Sequence, residues 1–99
     1  MLNAYSRTEL EAKLIPLFEK YNVKRVVLFG SYAKGSADEK SDIDLLVDSD
    51  LRGLRFVSLC EDISQTLGKN IDLFDVRHID KNSRIDKEIA ATGVIIHEK

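Results

Sequence analysis

Apolar residues recur along this chain with two different periods, and blocks of the two kinds alternate. Leu10, Leu14, Leu17 and Phe18 stand at helical spacing behind Ser6-Arg7-Thr8-Glu9. That tetrapeptide is a capping box, in which the Ser6 hydroxyl accepts from the amide of residue 9 while Glu9 reaches back to the amide of Ser6. A helix over about 7 to 20 follows, with a kink or restart expected at Pro16, which lacks a donor and crowds the carbonyl of Ala12. Asn22 can close it. Lys24 to Phe29 holds the β-branched apolar run Val26-Val27-Leu28-Phe29, bounded by Gly30, and reads as a central strand. Ser31 to about Ala37 reads as a short helix or turn and Ala37 to Ser41 as a polar loop.

From Asp42 to Val47 the period becomes two. Ile43, Leu45 and Val47 face one side, and Asp42, Asp44 and Leu46 the other, so the strand has one apolar face and one that begins acidic. Asp50 can cap a helix over about 51 to 67, with Phe56, Leu59, Cys60, Ile63 and Leu67 as its buried stripe and Gly68 as its stop; Gly53 falls in its first turn. Asn70 to Val76 is a third strand, in which Ile71 and Leu73 point one way and Asp72, Phe74 and Val76 the other. Ile85 and Ile89 mark a last helix over about 81 to 91 that ends at Gly93, and Val94 to His97 reads as a terminal strand. The order predicts an α+β fold, a small mixed sheet with helices packed on it.

Composition narrows the options. At 99 residues, 43% hydrophobic and 32% charged, the chain has the size of one globular domain spanning 1–99, with little left over for choosing a substrate. A net charge of −2 argues against an extended nucleic-acid footprint. No apolar run approaches the roughly 18 to 20 residues that span a bilayer, and Met1-Leu2-Asn3-Ala4-Tyr5 lacks a leader pattern, so the expectation is a cytoplasmic protein without a membrane partner. Cys60, the single cysteine, allows no internal disulfide and reads as a small buried apolar group.

The candidate chemistry lies in two linked stretches. Asp42 and Asp44, two residues apart on a strand, have Cα atoms roughly 6.5 to 7 Å apart on one face, close enough to converge on one or two hard cations such as magnesium or manganese. Such a pair alone also reads as a solvated strand end. Gly30-Ser31 follows a buried strand, where glycine lets the backbone approach a phosphate and serine supplies an amide and a hydroxyl, although a simple turn with Ser31 as a cap is equally compatible. Ten residues separate Ser31 from Asp42, enough to cross to the next strand. Asp72, inside Ile71-Asp72-Leu73-Phe74, is expected to need a partner for its charge, which a shared metal would supply. Lys34-Gly35-Ser36 has the wrong order for a P-loop, and Leu46 and Val47 break a calcium EF-hand loop.

Leu28-Phe29-Gly30-Ser31-Tyr32-Ala33-Lys34-Gly35, then Ser41-Asp42-Ile43-Asp44-Leu45-Leu46-Val47, and then Asp72 resemble the signature of the DNA polymerase β-type nucleotidyltransferase superfamily. The wording is most similar to its minimal nucleotidyltransferase (MNT) branch. Lys34 departs from the arginine common in that turn and cannot contact a phosphate bidentately. The resemblance implies a palm-like core and transfer of a nucleoside monophosphate from a nucleoside triphosphate to a hydroxyl. In it Gly30, Ser31 and Lys34 would hold phosphates. Asp42 and Asp44 would bind two magnesium ions, with Asp72 completing the second site and helping to deprotonate the attacking hydroxyl. Many MNT proteins are antitoxins paired with HEPN-domain toxins, and several add AMP from ATP to a tyrosine of that ribonuclease. The same fold acting by occlusion, without catalysis, and transfer to a small-molecule hydroxyl are the alternatives.

The remaining polar residues read as scaffold. Asp48-Ser49-Asp50 fits capping and solvation, and Asp75 reads as peripheral. His78 and His97 read as surface groups, Arg52 and Arg55 as a solvated helical face, and Tyr32 as packing beside the turn or near a nucleotide.

Overall fold

In the computed structural model, which describes residues 5–99, the Ser6 capping box forms as read and opens α1, Arg7–Lys20. The reading of Met1 to Ala4 against a leader pattern lies outside the described residues. α1 continues unbroken through Pro16, in contrast to the expected restart. Pro16 and Ala12 are both exposed, so water can serve the carbonyl that proline leaves without a donor. Asn22 closes the helix at a φ of 58°. Then come β1 (Arg25–Phe29), the single turn α2 (Ser31–Lys34), β2 (Ile43–Asp48), α3 (Leu54–Leu67) and β3 (Ile71–Asp75). A 3-10 turn over Val76–His78, α4 (Arg84–Thr92) and β4 (Val94–Glu98) complete the described chain.

The four strands form one mixed sheet in the order β3-β2-β1-β4, with β2 parallel to β3 and β1 antiparallel to both its neighbours. α1 and α3 cover one face, where Leu10, Leu14 and Phe18 meet Leu59 and Ile63 over Val26, Leu28, Ile43, Leu45 and Val47. α4 covers the other face over a smaller cluster of Val27, Phe29 and Leu46, joined by Phe74, Ile85 and Ile89. Ile71 and Leu73 point to the first face and Phe74 to the second, as the alternation predicts.

α3 starts later than expected. Leu51 turns into the core, its amide donating to the Ser49 hydroxyl at 3.2 Å, and Gly53 at a φ of 55° takes the cap position. Asp50 therefore caps nothing and pairs instead with Lys24 across 3.3 Å of exposed surface. Leu59, Ile63 and Leu67 are buried, whereas Phe56 and Cys60 lie half-buried at the margin of the stripe. Burial, and after it the charges of Glu61 and Asp72, pushes the Cys60 thiol up, away from a nucleophilic thiolate. Asp75 is a structural anchor rather than a peripheral group. It is buried and accepts from the backbone and guanidinium of Arg77, which also donates to the Leu51 carbonyl, tying the end of β3 to the entry of α3.

Candidate active site

Strand register builds the site. Phe29 of β1 stands opposite Asp44 of β2, and Asp44 stands beside Asp72 of β3, so the three residues form one row across the sheet on the α4 face. The next row, Val27, Leu46 and Phe74, is apolar, and the rings of Phe29 and Phe74 lie 5.6 Å apart. The carboxylates thus sit at one end of a dry surface. Gly30 directly follows Phe29, which brings the turn against Asp44. Its φ of 77° and ψ of −151° belong to a region that glycine alone adopts readily. A Cβ at this position would also stand 2.5 Å from Asp44 Oδ2 and 3.4 Å from Glu88 Oε1.

The sequence-derived residues do not all converge. Asp44 and Asp72 are paired in register, and Gly30 and Ser31 stand next to Asp44. Asp42 lies one residue before β2, exposed, on the rim of a cleft of about 640 Å³ that also includes Gln65, Lys69 and Asn70. Its charge still reaches Asp44. Lys34 is exposed at the end of α2. Asp72 is exposed as well, because β3 is an edge strand, so the expectation that its charge is desolvated inside an apolar strand does not hold. Tyr32 is buried beside the turn, its hydroxyl without a hydrogen-bond partner among the described residues, and Lys69 Nζ stands 6.0 Å from its ring centroid. His97 is scaffold: Nε2–H donates to the Val23 carbonyl and the ring packs on Phe18.

Glu88 and Thr92 of α4 were not among the residues singled out from sequence, yet both meet this turn. The Gly30 N–H donates to Thr92 Oγ1 at 2.9 Å, and the Thr92 hydroxyl donates to the Glu88 carbonyl at 2.9 Å. A signal for them existed. Ile85, Glu88, Ile89 and Thr92 stand at i, i+3, i+4 and i+7, so two polar residues share the stripe that two isoleucines bury.

Electrostatics mark where negative charge is hardest to hold. The Asp44 carboxyl is pushed up to about 6, first by burial, then by the charge of Asp72 and a hydrogen bond with it, and then by the charges of Glu88 and Asp42. Among the described residues no three acidic, histidine or cysteine side chains enclose an ion on their own. An open pair of hard oxygen donors is nonetheless what magnesium uses, since it commonly takes one or two carboxylates and fills its octahedron with water and substrate phosphate. The side chain that glycine lacks lets the turn lie directly against Asp44 Oδ2.

A glycine turn beside paired carboxylates, on a small mixed sheet, defines a nucleotidyl-transferring class of domain. Comparison with known proteins agrees. The family described as Polymerase beta, Nucleotidyltransferase matches residues 12–99, and the chain belongs to that family. A Methanocaldococcus jannaschii protein named "Putative protein adenylyltransferase" is 38% identical over 73 residues, 72% of this chain and 78% of its own length. A crystal structure described as a toxin-antitoxin with AMP-PNP superposes with a TM-score of 0.76 at 25% identity, over 90% of this chain and 73% of that one. A tri-AMPylated Shewanella oneidensis HEPN toxin in complex with MNT antitoxin gives a TM-score of 0.71 over 94% of this chain and 73% of that one; at 22% identity this likeness is one of fold. The chain is therefore a nucleotidyltransferase, and membership implies a nucleotide substrate and a divalent metal in general terms.

Proposed function

We propose that this chain is a magnesium-dependent adenylyltransferase that moves AMP from ATP onto a tyrosine hydroxyl of a cognate HEPN-type ribonuclease toxin, and so acts as its antitoxin. The observation that carries the reading is the in-register pair Asp44–Asp72 set against the Gly30-Ser31 turn. The relatives named for protein adenylyl transfer and for toxin-antitoxin complexes support the choice of acceptor.

In this reading Asp42, Asp44 and Asp72 would hold two magnesium ions, Ser31 and Lys34 would face the β- and γ-phosphates, and Gly30 would shape the turn that carries them. The bound cations would neutralise charge on the attacking and departing oxygens. The acceptor oxygen forms a bond to the α-phosphorus while the bond from that phosphorus to the bridging oxygen of pyrophosphate breaks. Asp72, exposed on the edge strand, is open to an incoming hydroxyl and takes its proton. Asp44, deeper in the sheet, contributes charge and position. The partner protein brings the substrate tyrosine, which explains how a chain of 99 residues, read as one domain, achieves selectivity. We place the reaction in the cytoplasm; among the described residues no helix is long and apolar enough to cross a membrane.

The test is incubation of the chain with its co-expressed partner, magnesium and ATP labelled at the α-phosphate. Label on the partner, with an added AMP mass mapped to tyrosine, is expected, as is its loss in Asp44→Ala. Equal labelling by the wild type, Asp42→Ala and Asp44→Ala would overturn the assignment.

A further inference from the structure

Helix α4 reaches the phosphate turn through a relay of two hydrogen bonds. A hydroxyl has a single proton, and the Glu88 carbonyl can only accept, so the directions are fixed: Gly30 N–H to Thr92 Oγ1, then Thr92 O–H to Glu88. The Gly30 carbonyl is also occupied, accepting from the Lys34 amide at 3.1 Å. Both backbone groups of Gly30 are therefore committed within the protein. Glycine has many conformations open to it, so the two hydrogen bonds select the one the turn keeps, and one of these clamps comes from an element more than fifty residues away. What the turn can offer a phosphate thus begins at Ser31. Gly30 contributes shape: its missing Cβ lets the turn lie against Asp44.

We propose that Thr92 is a positioning residue for the nucleotide triphosphate. By holding the Gly30 amide it sets the conformation from which Ser31 meets the phosphates, while Asp44 and Asp72 keep the cation. The proposal rests on the nucleotidyl-transfer reading but separates two affinities within it. Loss of the Thr92 hydroxyl weakens triphosphate binding and spares the metal, whereas loss of the Asp44 charge weakens the metal.

Thr92→Val is nearly isosteric and can neither accept from Gly30 nor donate to Glu88, and Thr92→Ser keeps both bonds. Titration with AMP-PNP and magnesium should show Thr92→Val about tenfold weaker than wild type, with Thr92→Ser within threefold. Binding of Mn2+ alone should stay within twofold in both variants and fall at least tenfold in Asp44→Asn. AMP-PNP affinity within twofold in Thr92→Val, Mn2+ and AMP-PNP affinities falling together, or Thr92→Ser as weak as Thr92→Val would each overturn the proposal. Unchanged Mn2+ affinity in Asp44→Asn would instead overturn the metal assignment, leaving the Thr92 comparison to stand on its own. Should Thr92→Val not fold, amide exchange in the wild type decides. With AMP-PNP and magnesium bound, the Gly30 amide should keep its protection and its shift while the Ser31 amide moves; transfer of the Gly30 amide to the phosphate overturns the proposal.

Discussion

The two faces of the sheet are built from the same strands and do opposite things. On the face under α1 and α3, fully buried Leu10, Leu14, Phe18, Leu59 and Ile63 close over Val26, Leu28, Ile43, Leu45 and Val47, and the buried charge at its edge, Asp75 at the end of β3, is paired with Arg77. On the face under α4 the buried cluster among the described residues is Val27, Phe29 and Leu46, and in the row of Phe29 the carboxylates of Asp44 and Asp72 stand side by side with the charge of Glu88 reaching Asp44. α4 itself has no fully buried residue. Stability is concentrated on one face, so that the other can carry like charges at close quarters. The cost is visible in the raised Asp44 pKa, to which burial contributes most and the neighbouring carboxylates next.

The comparison breaks most sharply at Asp44. Asp44→Asn keeps size and removes charge, and AMP transfer should fall about a thousandfold or more, equivalent to about 4 kcal/mol of transition-state stabilisation. The folded population at pH 7 should not fall. Quantitative labelling of the partner alongside a urea melt measures both. Activity within tenfold of wild type would sink the division of labour between the faces.

The opposite face should show the reverse pattern. Leu14→Ala or Ile63→Ala empties volume from a fully buried position and should cost about 3 kcal/mol of stability. Transfer per folded molecule should remain within twofold, since neither residue adjoins the acidic row. A urea midpoint shift with unchanged specific activity is the expected result, and a specific activity lost in step with stability would mean that the faces are coupled. Smaller again is the corner at Asp75. Its carboxyl is held below the usual range chiefly by the hydrogen bond from Arg77, so Asp75→Asn should destabilise by about 1 to 2 kcal/mol and leave transfer within threefold. Equal stability of wild type and variant in urea would remove the anchor assigned to it.

These features were not equally legible in the sequence. The capping box, the apolar strand ending at Gly30 and the alternation that puts Asp44 opposite the apolar face of β2 could be read because each is decided within a few residues. Strand order is decided by long-range pairing, and this is why Asp72 was expected to be desolvated although β3 lies at the edge. The late start of α3 depended on whether Leu51 would join the core, which a cap preference at Asp50 cannot reveal. Glu88 and Thr92 were hidden for a related reason. Their face is visible from the helical period, but what that face meets is set by how α4 docks on β1. Asp75 was misjudged because its partner Arg77 is drawn back by the 3-10 turn, a geometry with little signal in five residues.

A last effect, of similar size, reads out what it costs to keep Asp44 charged, a cost that burial sets first and the neighbouring carboxylates second. Asp44 titrates near 3.8 in the unfolded chain and at about 6 in the folded one. Between those values the native state keeps a proton that the unfolded state has lost, so unfolding releases it and stability falls as pH rises. The favourable contribution is therefore fully present below pH 3.8 and gone above about 6. The full shift would correspond to roughly 3 kcal/mol, and screening by solvent at this partly open position reduces it to about 1 to 2 kcal/mol. Other carboxylates, Asp75 among them, have the opposite slope, so the measurement is a difference: urea stability of wild type and Asp44→Asn at pH 4 and pH 7 without divalent cations. Asp44→Asn should gain about 1 to 2 kcal/mol on wild type between the two pH values. Millimolar magnesium at pH 7 should return most of that difference to the wild type alone, because a cation relieves the repulsion that the proton relieved at pH 4. A difference independent of both pH and magnesium would show that the acidic row carries no electrostatic strain, and the contrast between the two faces would then be one of packing only.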